Sequence, residues 1–475
     1  MYDQADITET YLNKYSAQLV VTLGGVDTYG NNAVNDVSML FLDAIDAVRL
    51  PEPEFNLRIN RVNPPEFLEK AAQLTVTGCN FISYYNDDQF IDHLSKSMPI
   101  SMAREYGFDL CQDINILGKS DFYNSGELSL SFLLMDFLKR KHSFPSFEAL
   151  VSEWKDELRE KIKSMITSFN EAQRHVFLYR DEKFEQYFKE IKEKSAPIDW
   201  YGRSPMSPLP YLSALYHGTI DSATDMIYES YPLKEKGFMI GTATEAINAL
   251  TAIKKVVYET GQYSLQQVVQ ACIDDYQKPG QEILRNLLWN APKWGNDDCY
   301  SDDIAKDILE FCLSEAVQYS TASGGKQLGG IHQPHPVPTG AALMATPEGR
   351  HAGTPVAVTL TPESGTMRNG PTAVLQSACK LNSSNIQWNF CVMVNYFSSV
   401  FEGNQGKNIF VTLLKTYFKQ GGMQHQPNVL NVQALKAAQK EPEKYKDLIV
   451  RLWGVSAHFV DLPKELQDEM ISRFA

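Results

Sequence analysis

The sequence has no basic stripe, no long apolar run and no closely paired cysteines, and each absence removes a class of function. Its 44 Lys and Arg are scattered and outnumbered by 58 Asp and Glu, for a net charge of −14, so nothing here could neutralise a phosphate backbone. Nucleic acid is therefore not an expected partner. No apolar run is long enough to cross a bilayer, and the opening MYDQADITETYLNKYSAQ is polar and acidic rather than signal-like. The expectations are no membrane partner and a cytoplasmic location. Seven cysteines, at 79, 111, 272, 299, 312, 379 and 391, form no CxxC pair, which suits reduced thiols better than disulfides or zinc. The glycine-rich LGGVDTYGNN lacks both GxGxxG and a Walker lysine, so it is not read as a nucleotide loop. HQPH at 332–335 has a metal-like spacing, but Pro334 intervenes and no acidic ligand is near, so neither a metal nor an organic cofactor is expected.

What is present is a folded-protein composition, 43% apolar and 21% charged, on 475 residues, enough for one large enzyme domain with appendages. QLVVTLGG leads through a glycine-rich turn into a helix with apolar Val37, Leu40, Phe41, Ala44 and Ala47 on one side. NLRINRV reads as a strand, PPEFLEKAAQLTVTG as a helix with proline in its first turn, and ISYYNDDQFIDHLSK as a strand running into a helix. This alternation predicts an α/β fold. From 144 to 201 the text is charged and helical, as for a pair of packed surface helices. Residues 321–370 are rich in Gly, Pro and Thr, a loop section long enough to imply that it lines a site. An apolar segment (IQWNFCVMVNYF), a helix (NIFVTLLKTYFKQGG), a strand-like DLIVRLWG and a last helix after Asp461, with Pro463 in its first turn, complete the chain.

Taken alone, RLWGVSAHF (Arg451 to Phe459) is a strand-like run interrupted by a glycine, which a turn or bulge explains. Its spacing nevertheless resembles the C-terminal signature of glycyl radical enzymes, an Arg, the radical glycine three residues on, and a Phe five beyond. GGMQHQPNVLN (Gly421 to Asn431), TPEGRHAGTPVAVTLTPESGT (Thr346 to Thr366), GPTAVLQSACKLN (Gly370 to Asn382) and APKWGNDDCYSDD (Ala291 to Asp303) are similar to that family too, and in its order. The resemblance, to pyruvate formate-lyase-like glycyl radical enzymes, implies Gly454 as the radical store, with Arg451 and Phe459 supporting its loop. A radical at Cα is stabilised when the centre is planar and conjugated with both flanking amides, and only glycine lacks the Cβ that would crowd it.

The stretch ISMAREYGFDLCQDINILGKSDFYNSGELS resembles the family's cysteine loop, which implies Cys111 as the thiyl that passes the radical to substrate; a buried structural thiol is the plain alternative. An exit helix is read from Asn124, with Glu127 at capping-box spacing, so Cys111 is placed between two helices. The other six cysteines are assigned to core packing. Pyruvate formate-lyases carry a second cysteine beside the first; Gln112 stands there, which disfavours acyl transfer. Eliminating and decarboxylating members place a Glu two residues after the cysteine; Asp113 stands there, as a general base or as a loop-capping carboxylate. His458 and Gln424 either line the site or hold backbone.

The resemblance implies a ten-stranded α/β barrel, helices outside and the cysteine and glycine loops at its centre, of which this chain is expected to supply only the second portion. Residues 1–340 are taken as a partial pyruvate formate-lyase-like domain and 341–475 as the glycine radical domain. It implies an anaerobic lyase or dehydratase acting on a small polar molecule, with a protein-based glycyl radical installed by a radical S-adenosylmethionine activating enzyme. The alternatives are a decarboxylase or formate acetyltransferase-like C–C lyase, and a non-catalytic radical-domain subunit. A separate N-terminal half or a second copy is the further expected partner, since an open half-barrel would expose sheet edges. Val455, where the family usually has an aromatic residue, is expected to loosen packing over the radical loop.

Overall fold

The structure is a computed structural model; it describes residues 19–109, 112–122, 124–182, 209–403 and 405–474. Three strands open it, β1 (Val20–Gly24), β2 (Glu54–Ile59) and β3 (Ile82–Asn86), separated by helices at Asp36–Val48 and Pro65–Val76. A short hairpin follows, β4 (Tyr106–Phe108) and β5 (Ile114–Ile116). Then come β6 (Asn124–Ser129), β7 (Lys236–Gly241), β8 (Gln327–Ile331) and β9 (Ile386–Phe390), and after them β10 (Met393–Phe397) and β11 (Gln424–Leu430). A last hairpin joins β12 (Ile449–Arg451) to β13 (Ser456–His458).

Two sheets result. One has the order β1-β2-β3-β11-β10, parallel except where β11 meets β3; the other is all parallel, β6-β7-β8-β9. Parallel strands need helical crossovers and apolar cover on their faces, which is why the strands are buried and the helices lie between them in sequence. IQWNFCVMVNYF, read as one apolar segment, is two strands in different sheets, with Cys391 and Val392 carrying the chain from one to the other.

The expectation of only the second portion of a barrel is not supported, because the described residues carry five strands in one sheet and four in the other. Strands of five to seven residues occupy little chain, so length is a poor guide to how much sheet is present. Among the described residues the charged stretch from 144 forms one helix, Phe147–Glu182, and the second helix of the expected pair falls outside them, in 183–208. It packs by one face: Leu150, Trp154, Leu158, Ile162 and Ile166 recur every four residues and are buried, the stripe that a 3.6-residue period turns inward, while Ser152, Glu153, Asp156, Glu160 and Lys163 face out. In the helix at Asp36–Val48 the expected face is outward. Ser38, Leu42 and Ile45 are buried, while Val37, Leu40 and Phe41 are exposed.

Candidate active site

The segment around Gly454 forms the tip of the β12/β13 hairpin. A small core of its own wraps it, including Leu452, Trp453, Val455, Ala457 and Phe459 from the hairpin and Leu435, Leu466 and Met470 from the helices at Val432–Ala438 and Lys464–Ser472. Phe459 is fully buried there, and Gly454 is buried with it. Val455 does not loosen this packing. It is 1% exposed, and aromatic cover comes instead from Trp453, whose ring meets the His335 ring edge-on with centroids 5.1 Å apart.

Arg451 fastens the hairpin to the five-stranded sheet. Its buried guanidinium ion-pairs with Glu54 on β2 and donates to Ser83 Oγ on β3 at 2.9 Å, to Gln426 Oε1 on β11 at 3.3 Å and to the Gly454 carbonyl at 3.3 Å. The five-donor fork of an arginine is suited to such convergence, where a lysine could not reach in so many directions. Burial pushes the Glu54 carboxyl up to about 7 while the Arg451 charge pulls it back down. Asn428 on β11 closes the arrangement by bonding both the N–H and the carbonyl of Arg451.

The cysteine loop is the tip of the β4/β5 hairpin, between two strands and not two helices. Asn124–Ser129 is strand β6, so Glu127 caps no helix; the next helix begins at Leu130. Cys111 itself lies outside the described residues, but both sides of it are placed. Arg58 on β2 anchors the hairpin through the carbonyls of Tyr106 and Arg104. Asp109 N–H donates to the Asp113 carbonyl at 2.9 Å, continuing the Phe108–Ile114 register, so Asp109 and Asp113 are direct cross-strand partners with side chains on one face. Burial pushes the Asp113 carboxyl up to about 6, opposed by the Asn389 amide that donates to it. Asp109 stands on the exposed side of the tip, and its carboxyl is pushed up to about 8 by the protein packed around it and by the charge of Asp113.

Between the two loops lies Gln112, whose amide donates to the Gly454 carbonyl at 3.3 Å and accepts from the Tyr85 hydroxyl. A second path runs around the site. Arg451 holds Gln426, Gln426 Nε2 donates to Cys391 Sγ at 3.2 Å, Cys391 donates to Asn389 Oδ1 at 3.2 Å, and Asn389 holds Asp113. Of the residues predicted from sequence, Asp113, Arg451, Phe459 and Gly454 are thus gathered by two hairpin tips. Gln424 accepts a hydrogen bond from the Val392 N–H at 2.8 Å and so serves backbone.

Sequence reasoning missed Asp109, Tyr85, Asn389 and Gln426, and it assigned Cys391 to plain core packing. An acidic residue two before Cys111 to match the one two after was the only local signal available. The histidines of HQPH join no metal-like group; among the described residues, no three His, Cys, Asp or Glu side chains gather as metal ligands. Among them, too, no helix is long and apolar enough to cross a membrane.

Comparison with known proteins fits this geometry. A glycine radical model matches residues 356–460, and a pyruvate formate lyase-like model matches 4–340. Trans-4-hydroxy-L-proline dehydratase of Clostridioides difficile is 29% identical over 95% of this chain and 56% of its own length. Isethionate sulfite-lyase of Bilophila wadsworthia (strain 3_1_6) is 30% identical over 97% of this chain and 55% of its own. A solved structure described as 1,2-propanediol dehydration in Roseburia inulinivorans superimposes with a TM-score of 0.85, at 27% identity, over 96% of this chain and 57% of that one. The chain therefore spans a little over half the length of the relatives it matches. A buried glycine hairpin pinned by arginine, a cysteine loop packed against it and two family models covering most of the sequence agree, and the chain belongs to the pyruvate formate lyase-like family of glycyl radical enzymes.

Proposed function

We propose that this chain carries the reaction centre of an anaerobic glycyl radical lyase of the dehydratase type, with Gly454 as radical store, Cys111 as relay and Asp113 as base. The observation that carries the reading is the contact of the two tips, Gln112 from the cysteine loop on the Gly454 carbonyl, beside two opposed carboxyls. The names of the relatives, a dehydratase and a sulfite-lyase, support elimination over acyl transfer, as does the absence of a second cysteine at 112. The two sheets, nine strands among the described residues, are read as wall of a ten-stranded α/β barrel with helices outside and the cysteine and glycine hairpins at its centre. Residues 1–340 form its lyase-like part and 341–475 the glycine radical part.

In the proposed reaction a radical S-adenosylmethionine activating enzyme first removes hydrogen from the Gly454 Cα. Gly454 then takes hydrogen from the Cys111 thiol, and the thiyl takes one from a substrate carbon bearing a hydroxyl. That hydroxyl becomes much more acidic, and Asp113 accepts its proton. The bond from the neighbouring carbon to its leaving group breaks, and Asp109 gives the departing group a proton. The substrate radical recovers hydrogen from Cys111, leaving a carbonyl product and no net change in electrons. Two carboxyls whose surroundings push them to different pKa values are what an acid and a base acting together require. The substrate is a small polar molecule with a hydroxyl next to a leaving group, the location is cytoplasmic, and a further chain or a second copy completes the substrate pocket.

The pH profile tests this assignment. Asp113 must be ionised to act, and its pKa is raised above the ordinary carboxylate value, so kcat/KM falls as pH drops through about 6. Asp109 must be protonated, so activity also falls as pH rises through about 8. The two limbs belong to the coupled pair. Asp113→Asn is expected to lose activity by about 10²–10⁴-fold, and Asp109→Asn to flatten the alkaline limb. An Asp109→Asn profile that keeps that limb removes Asp109 from the mechanism.

A further inference from the structure

We infer that Gln112 is a positioning residue that ties the cysteine loop to the radical glycine and tunes the glycyl radical through its carbonyl oxygen. The inference rests on the reading of Gly454 as the radical residue.

Gln112 has φ +74°, in the left-handed region that favours glycine, yet it is a glutamine and is 1% exposed. Such a conformation in a non-glycine residue persists only where surrounding contacts over-determine it. The Gln112 N–H donates to the Asp109 carbonyl at 3.1 Å, and its side chain makes two further polar contacts. The Tyr85 hydroxyl donates to Oε1, which fixes the orientation of the amide and leaves Nε2 aimed at the Gly454 carbonyl, 3.3 Å away. Tyr85 is held in turn, packed on Phe108 of the cysteine hairpin with ring centroids 3.9 Å apart and the rings tilted by 34°. The residue that fills the second-cysteine position is therefore built as a bridge, with one end on β3 and the other on the glycine.

The bridge ends on the atom that matters electronically. A glycyl radical is delocalised from Cα onto the adjoining carbonyl oxygen, and donors on that oxygen draw spin density toward it and away from Cα. Gly454 O receives two donors, Arg451 from its own hairpin and Gln112 from the facing one. The Arg451 donor comes with the glycine loop wherever that loop sits. The Gln112 donor exists only when the two loops are docked, so it stabilises the radical selectively in the arrangement that can pass it to Cys111.

The test is anaerobic electron paramagnetic resonance of the activated protein and its variants. Gln112→Met keeps the size of the side chain but removes the donor. It is expected to widen the α-proton doublet, to shorten the radical lifetime by up to about tenfold, the scale of one lost hydrogen bond, and to slow exchange of the Gly454 α-hydrogen with solvent deuterium. Tyr85→Phe leaves residue 112 in place but frees its amide, and is expected to shift the same readouts in the same direction by less. If Gln112→Met does not fold, Tyr85→Phe carries the test alone. A purely packing role would lower the yield of folded protein and leave the splitting alone. Wild-type splitting and lifetime in either variant overturns the proposal. Failure of the wild type to give a doublet, or its survival in Gly454→Ala, removes the reading of Gly454 and the proposal with it.

Discussion

Arg451→Met is expected to lower the unfolding free energy by about 3–5 kcal/mol, because it leaves a carboxylate in the interior without its counter-charge. Glu54 and Arg451 are both about 1% exposed at the side chain, so water cannot replace the lost partner. The carboxyl, already pushed up by burial, then takes up a proton near neutral pH, and the Ser83, Gln426 and Gly454 oxygens each lose one donor. Urea unfolding under anaerobic conditions measures this directly. The double variant Arg451→Met with Glu54→Leu is expected to recover part of the loss, since a buried ion pair replaced on both sides by apolar groups costs little. A single variant within about 1 kcal/mol of wild type, the ordinary range for an exposed pair, would show that the pair does not hold the hairpin.

The second large effect concerns the relay. Cys111→Ala is expected to reduce turnover by about 10⁴-fold or more while leaving the radical at Gly454 able to form, because loss of one member of an obligatory chain removes nearly the whole acceleration. Activation and turnover are measured separately, radical yield by spin quantitation and turnover by product formation. Among the six other cysteines, Cys391 is hydrogen-bonded to Asn389 and Gln426 beside the same site, so Cys391→Ala is the informative comparison. Turnover of the Cys111 variant within tenfold of wild type would move the relay to another thiol.

Much of this was legible from residue order. The first three strands and their helices, the helix at Gly406–Lys419 and the strand-like run turning at Gly454 follow from local patterns that the structure keeps. Where the reading failed, a local pattern was overridden from a distance. Asn124 with Glu127 three residues later looks like a capping box, but pairing of that segment with β7 makes it a strand, in which Ser125 and Leu128 are buried. The helix at Asp36–Val48 has apolar residues on two sides, and periodicity alone could not choose between Leu42 with Ile45 and Val37 with Leu40. The switch of IQWNFCVMVNYF from one sheet to the other is likewise invisible in an unbroken apolar run.

The site divides the same way. Gly454, Arg451 and Phe459 were found because they share a short motif, and Asp113 because it stands two residues after Cys111. Tyr85, Asn389 and Gln426 come from β3, β9 and β11, far apart in sequence, and only sheet order brings them to the two hairpin tips. Asp109 was within sight but could be weighed only once the hairpin register paired it with Asp113.

The most direct test of the account is an electron paramagnetic resonance spectrum of the anaerobic protein after treatment with a radical S-adenosylmethionine activating enzyme, with glycine deuterated at Cα as the label. The account predicts a doublet that collapses on deuteration and is absent from Gly454→Ala. A doublet that persists in Gly454→Ala would contradict it.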